Sequence, residues 1–342
     1  MRNYVFVIVF VLGMISGCSG RRGDIPVVRK TLSAGVVIAD SLYLSFPGQL
    51  RVTSAHILLN TPFDSDGFLK IYDRQTGREL GWTGKVGNGP GEWITPSFGN
   101  VAGDRIAVYD ANVKKYVLAG VERLYGEVSE AGAMKKIDVS PTGFVFLNER
   151  LAVAADFSET PFKLISDGRI FPCGQYPFKE PVSNTFDCYQ GLLAVHPKKR
   201  VMAYGMLGNP YLSLYRVKPD GVELIWENQF KEPDYSISGG KLHWGNGHST
   251  GVSDVTFTKD YIACLTPDAK NEENMFGTFV RGREMKVPLM SVYLFDIEGN
   301  LRYILDPPFH IIRLASDTDS NTLYAVSIEP DYRIVRFDPD WD

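Results

Sequence analysis

The chain has 342 residues, 44% of them hydrophobic and 22% charged, with 33 glycines and 20 prolines. That balance excludes a disordered chain, a collagen and a polytopic membrane protein. Lysine and arginine number 36 against 40 aspartate and glutamate, a formal net charge of −4, so no basic face for nucleic acid is expected. The length suits two average domains or one large all-β unit.

Met1, Arg2 and Asn3 open the chain with a positive charge, an apolar run follows to Met14, and Ile15, Ser16, Gly17 and Cys18 close the segment. A cationic start, an apolar core and small residues at the exit are the layout of a secretory signal. The run is too short to anchor stably across a hydrocarbon core of roughly 30 Å. Ile15-Ser-Gly-Cys18 resembles the lipobox of bacterial lipoproteins, in which the cysteine is lipidated and becomes the new N-terminus. The resemblance implies a signal peptide over residues 1–17, and a lipidated Cys18 with its tether over residues 18–32. The competing reading is an ordinary cleavable signal with an incidental cysteine. Ser19-Gly-Arg-Arg-Gly23 has the composition of a flexible tether. It lacks the acidic cluster of a surface-export signal, so the expected location is the outer membrane, lipid-anchored and facing the periplasm.

Cys173, Cys188 and Cys264 remain. An envelope compartment permits disulfides. A bridge between Cys173 and Cys188 would close a loop worth roughly 3 kcal/mol; free buried thiols are the alternative. No Cys–His spacing points to zinc, and no metal or cofactor is expected.

After the signal, long amphipathic helical windows are absent and short β-rich runs alternate with Gly, Pro, Asn and Asp. One strand type recurs as His56-Ile-Leu-Leu-Asn60, Arg105-Ile-Ala-Val-Tyr109, Arg150-Leu-Ala-Val-Ala154, Arg200-Val-Met-Ala-Tyr204, Tyr261-Ile-Ala-Cys-Leu265 and Thr322-Leu-Tyr-Ala-Val326, with starts separated by 49, 45, 50, 61 and 61 positions. A second type follows each, as in Phe68-Leu-Lys-Ile-Tyr-Asp73 or Ser291-Val-Tyr-Leu-Phe-Asp296, and several copies run into Gly- or Asp-containing hairpin turns. Outer strands follow at residues 222–226 and 301–305, and preceding strands at residues 252–258 and 311–316. Six copies at this spacing predict an all-β, six-bladed β-propeller of four-stranded blades over residues 33–342. The last copy leaves no chain for its outer strand, and Gly35-Val-Val-Ile-Ala39 is the natural donor to close the ring. A seventh blade would need a repeat between Leu265 and Ser291, where none is visible.

The lipobox, the six-blade spacing and Gly87-Asn-Gly-Pro-Gly-Glu92 together resemble the TolB-like, six-bladed propeller lipoproteins of Bacteroidetes, in which a Gly-x-Gly-Pro-Gly-Glu segment recurs. The resemblance spans essentially the whole mature chain and implies fold and address; it carries no settled activity.

Propeller topology gathers the long connections on one face: residues 85–97, 175–187, 229–251 and 266–289. Elaborated loops on a rigid scaffold are the usual layout of a binding site. The glycines before Glu92 and Trp93 either cradle an anion with backbone N–H groups or permit a tight blade-to-blade turn. Lys241-Leu-His243-Trp244-Gly-Asn246-Gly-His248 offers two histidines, an aromatic and an amide for a polar ligand, a sugar or a peptide, though its His spacing outside a helix fixes no metal geometry. Arg281 and Arg283 lie in a mixed-charge insertion that reads as a flap, a partner contact or a solvated excursion. Asp317-Thr-Asp319 and Asp64-Ser-Asp66 imitate calcium loops without the downstream bidentate Glu. No nucleophile elbow or ordered triad is present. The expectation is a non-catalytic, membrane-anchored envelope module binding a protein, peptide or glycan; the alternative is a propeller hydrolase or lyase acting on a saccharide or lactone.

Overall fold

A computed structural model describes residues 26–338 apart from 65–66, 90, 122–133, 179, 247–249, 268–274, 281–282 and 330. Cys18 and the signal segment lie outside the described residues.

Six blades follow one another around a central channel. In blade 1 the strands are Leu50–Val52, His56–Asn60, Leu69–Asp73 and Glu79–Thr83, running from the channel outwards. Blades 2, 3 and 4 repeat this order from Ser97–Ala102, Gly143–Asn148 and Gly191–His196. Blade 5 begins at Asp254–Phe257 and blade 6 at Ile311–Ala315. The expected ring closure is present: Val36–Ala39 pairs antiparallel with Arg333–Phe337 as the outer strand of blade 6. Gly35 makes this entry possible. Its φ is +72°, and a Cβ there would lie 2.9 Å from both the Arg336 carbonyl oxygen and the Phe337 ring.

Two features depart from the sequence reading. Val28–Thr31, inside the stretch read as tether, is a strand that pairs in parallel with Leu301–Asp306 and gives blade 5 a fifth strand. Arg29 fixes it with a two-point ion pair to Asp306, at 2.6 and 2.7 Å. The 266–289 insertion, read as a flap, a partner contact or a solvated excursion, contains a two-stranded ribbon, Met275–Val280 paired with Arg283–Pro288, and no seventh blade among the described residues. Val287 anchors that ribbon by packing with Ile312 and Ile328.

Side-chain alternation explains why the second strand of each blade reads as a continuous apolar run. Successive residues of a strand point to opposite faces, and both faces of a blade are buried. On Arg105–Asp110, Ile106 and Val108 enter the core shared with blade 1, whereas Ala107 and Tyr109 enter the core shared with blade 3. On Ile262–Pro267, Ala263 and Leu265 face blade 6 while Ile262 and Cys264 face blade 4. The described residues form six apolar clusters, one between each pair of neighbouring blades around the closed ring.

Candidate functional site

The Gly87–Glu92 motif closes on itself. The Glu92 carboxylate turns back and accepts the Gly89 N–H at 2.7 Å, and a Cβ on Gly87 would lie 2.2 Å from Glu92 Oε2. The loop's own carboxylate therefore takes the place that an external anion would have occupied. The glycines are required because a carboxylate packs against their backbone. Lys115 donates to the Glu92 carbonyl and lies 4.4 Å from the centre of the Trp93 ring. Trp93, expected at a binding surface, is instead fully buried and meets Phe68 edge-on at 5.9 Å. It is a core residue, because a large indole between blades 1 and 2 stabilises most when wholly removed from water.

The 229–251 connection folds as a hairpin, Tyr235–Ser238 against Lys241–Trp244. Asn184 pins it: its side-chain amide donates to the Leu242 carbonyl, and its oxygen accepts the Leu242 N–H, both at 3.0 Å. His243 and Asn246 are exposed. Trp244 is half-buried beside Phe178 and Tyr235, and so builds the loop's own small core. His248 and Arg281 lie outside the described residues. Arg283 opens its ribbon strand opposite Val280. The structure thus groups His243, Trp244 and Asn246 on one hairpin, with Glu92 and Trp93 in a separate loop.

Cys173 and Cys188 are separate thiols, which corrects the bridged alternative. Cys173 ends the outer strand of blade 3, whereas Cys188 sits in a short helix, Thr185–Tyr189, with its sulfur 3.9 Å from the Leu242 carbonyl. Burial raises both pKa values, Cys173 to about 11, so both are inert protonated thiols at neutral pH. Among the described residues no group of three or more His, Cys, Asp or Glu is placed to hold a metal ion.

The more informative chemistry lies in the channel. Four polar side chains on the innermost strands each reach the backbone of the next blade. Asp254 of blade 5 accepts the Leu314 N–H of blade 6 at 3.0 Å. Arg313 of blade 6 donates to the Gly48 carbonyl beside blade 1 at 2.6 Å, and Arg51 of blade 1 donates to the Gly99 carbonyl of blade 2 at 2.5 Å. Asn100 of blade 2 both donates to the Phe146 carbonyl (2.8 Å) and accepts the Phe146 N–H (2.6 Å) of blade 3. These contacts satisfy channel-facing backbone groups that have no strand neighbour. Burial lowers the pKa of Arg51 and Arg313, opposed by the charge of Asp254. Both arginines nevertheless stay charged. Burial raises the pKa of Asp254, opposed chiefly by Arg51. Two guanidinium groups therefore share one carboxylate.

Where the channel opens on the face of the short hairpin turns lies a cavity of about 490 Å³, lined by Arg51, Asn100, Thr53, Thr256, Lys198 and Asp317 among others. Its rim is held by ion pairs between blades. Arg74 reaches Asp317 at 2.5 Å while also donating to the Tyr324 hydroxyl and the Thr53 carbonyl. Lys198 of blade 4 reaches Asp319 of blade 6 at 2.5 Å. Asp317 also accepts the N–H groups of Asp319 and Ser320, so the calcium look-alike is a hairpin turn held by its first aspartate. None of the residues singled out on the long-loop face lines this cavity. A signal for it was present in the sequence: Leu50-Arg51-Val52 and Ile312-Arg313-Leu314 each set one arginine inside an apolar strand at the same position of two blades.

No protein-family model and no curated protein matches the chain. Solved structures do. A Bacteroides fragilis protein described as exported aligns with a TM-score of 0.56 over 91% of this chain and 98% of its own, at 12% identity. A member of the DUF4221 family from Bacteroides vulgatus aligns with a TM-score of 0.54 over 90% of this chain and 96% of its own, also at 12% identity. This chain is similar in fold to both. At such identity the likeness establishes the fold alone, so the chemistry must be argued from the residues of this chain.

Proposed function

We propose that this protein is a lipid-anchored cell-envelope propeller, held through Cys18 on the periplasmic side of the outer membrane, that binds a small ligand in the mouth of its central channel. The cavity beside Arg51 carries this reading: it is concave, lined by polar groups from five blades and built on rigid strands. The lipobox-like Ile15-Ser-Gly-Cys18, the resemblance to TolB-like propeller lipoproteins and the fold shared with an exported protein support the address. The reading is non-catalytic. It moves the binding face expected from loop length to the opposite side of the ring.

A second reading keeps a glycan or peptide on the long-loop face. It is favoured by a cleft of about 580 Å³ between the loops of blades 3 and 4, lined by Tyr176, Phe178 and Tyr189. The Tyr189 hydroxyl there is buried without a hydrogen-bond partner.

Two variants of the full chain test the first reading. Cys18→Ser is expected to abolish incorporation of labelled palmitate into the protein; undiminished incorporation contradicts the anchor. Thr318→Trp, at the channel mouth, is expected to abolish the small-molecule adduct seen by native mass spectrometry after incubation with envelope extract. An adduct unaffected by that substitution places the ligand elsewhere.

A further inference from the structure

Resting on the channel-mouth reading, we infer that the ligand is a small carboxylate, seated on Arg51 at the cavity floor and met by Lys198 at the rim. The argument is one of charge and unsatisfied donors. A guanidinium has five N–H groups. Arg51 spends one on the Gly99 carbonyl and one, from Nη1, on the Leu50 carbonyl at 2.7 Å. Among the described residues the other three have no protein partner, both of those on Nη2 included. They present an end-on fork, the arrangement that matches the two oxygens of a carboxylate.

The surrounding charges do not neutralise this fork. Arg74 is matched by Asp317 and Lys198 by Asp319. Asp254 is shared between Arg51 and Arg313, and both of its oxygens accept backbone N–H groups, from Val255 and Leu314 at 3.0 Å. It makes no direct ion pair with either arginine. Counting Arg51, Arg313, Arg74 and Lys198 against Asp254, Asp317 and Asp319 leaves one excess positive charge around the channel, contributed by the arginines behind the cavity wall, while the charged residues lining the cavity itself, Arg51, Lys198, Asp317 and Asp319, are two of each sign. Placing such a charge deep in a channel is costly unless an anion joins it.

The rim adds a second, labile cation. Lys198 and Asp319 are each about three-quarters exposed, at 73% and 75%, and an exposed ion pair contributes little to stability. An incoming carboxylate can take Lys198 from Asp319 at small cost. Thr256 and Thr318 line the wall between floor and rim beside Thr53 and Ser316, whose hydroxyls are engaged with His56 and the Thr322 carbonyl, so hydroxyl groups on the ligand have Thr256 and Thr318 as partners. A hydroxylated acid of sugar size suits the volume.

The test is isothermal titration of the full chain in detergent with sodium glucuronate and citrate, against glucose, glucosamine and inorganic phosphate. At least one carboxylate is expected to bind, tenfold or more tightly than glucose, and more weakly as salt is raised. Arg51→Lys, which keeps the charge but loses the fork, is expected to weaken that binding about tenfold, equivalent to about 1.4 kcal/mol. Lys198→Glu, which breaks only the exposed rim pair with Asp319, is expected to weaken it three- to tenfold. Failure of both carboxylates to bind overturns the inference, as does binding indifferent to Arg51 and Lys198. Preference for phosphate, glucosamine or glucose that is still blocked by Thr318→Trp overturns the carboxylate assignment and leaves the channel-mouth reading standing. Binding that survives Thr318→Trp overturns both.

Discussion

Asp254→Ala is expected to lower the stability of the folded chain by about 3 kcal/mol or more, the largest effect of any single polar side chain in the channel. The substitution removes the acceptor of the Leu314 and Val255 N–H groups, each loss costing about 1–3 kcal/mol when the donor has no replacement. It also leaves Arg51 and Arg313 with no carboxylate between them, and an uncompensated buried charge is strongly destabilising. Asp254→Asn retains an acceptor oxygen and is expected to cost less. Its pH dependence carries a definite sign. Burial raises the folded pKa of Asp254 above 3.8, so the folded chain binds that proton more tightly than the unfolded chain. The associated stability is fully present below the unfolded pKa and is lost as pH rises through the folded one. The deficit of Asp254→Asn relative to the parent should therefore shrink as pH rises from about 4 towards neutrality. Denaturant titrations of the three chains at several pH values measure this; a deficit that grows over the same range contradicts it.

Deleting residues 33–40 is expected to open the ring. That segment supplies the outer strand of blade 6, with Val36 opposite Arg336 and Val37 opposite Val335. Its loss bares the edge of Arg333–Phe337, a template for pairing with another chain. It also uncovers the apolar cluster that Ala39 and Ile38 help to close over Ile334 and Tyr324. Burying such side chains contributes about 1.5–3 kcal/mol each when complete. The expected outcome is a melting temperature lower by at least about 5 °C and a shift from monomer to oligomer in sedimentation. A peptide spanning residues 33–42 should partly reverse both. Unchanged melting and a monomeric species would mean that the strand is ornament rather than closure.

Much of this architecture is legible in the sequence, because propeller blades repeat. The 105–109 and 261–265 runs announce themselves by alternating between two buried faces, and the missing last strand points back to Gly35 and the residues after it. The site was less legible. Loop length directed attention to Trp93 and His243, yet long loops here largely solve their own packing problems: Trp93 fills a blade interface, and Trp244 shares a small core with Phe178 and Tyr235. Glu92 looked like part of an anion cradle and is instead the anion within it. Arg51, Arg313 and Asp254 come together only through ring closure, from positions some 60 to 260 residues apart. No local motif encodes that meeting. The strand at Val28–Thr31 is not legible in the sequence for a related reason, since its partner at Leu301–Asp306 is distant and its own four residues carry little pattern.

Hydrogen exchange of the full chain, with and without a bound carboxylate, tests the central claim most directly, because it reports which face of the ring the ligand covers. The channel-mouth account predicts added protection at residues 53–54, 102–103, 197–198 and 316–319, which come from four hairpin turns around one opening, and none at residues 235–246. Protection concentrated on the 235–246 hairpin and the 85–97 loop, with the turn face unchanged, would contradict it and return the binding site to the long loops.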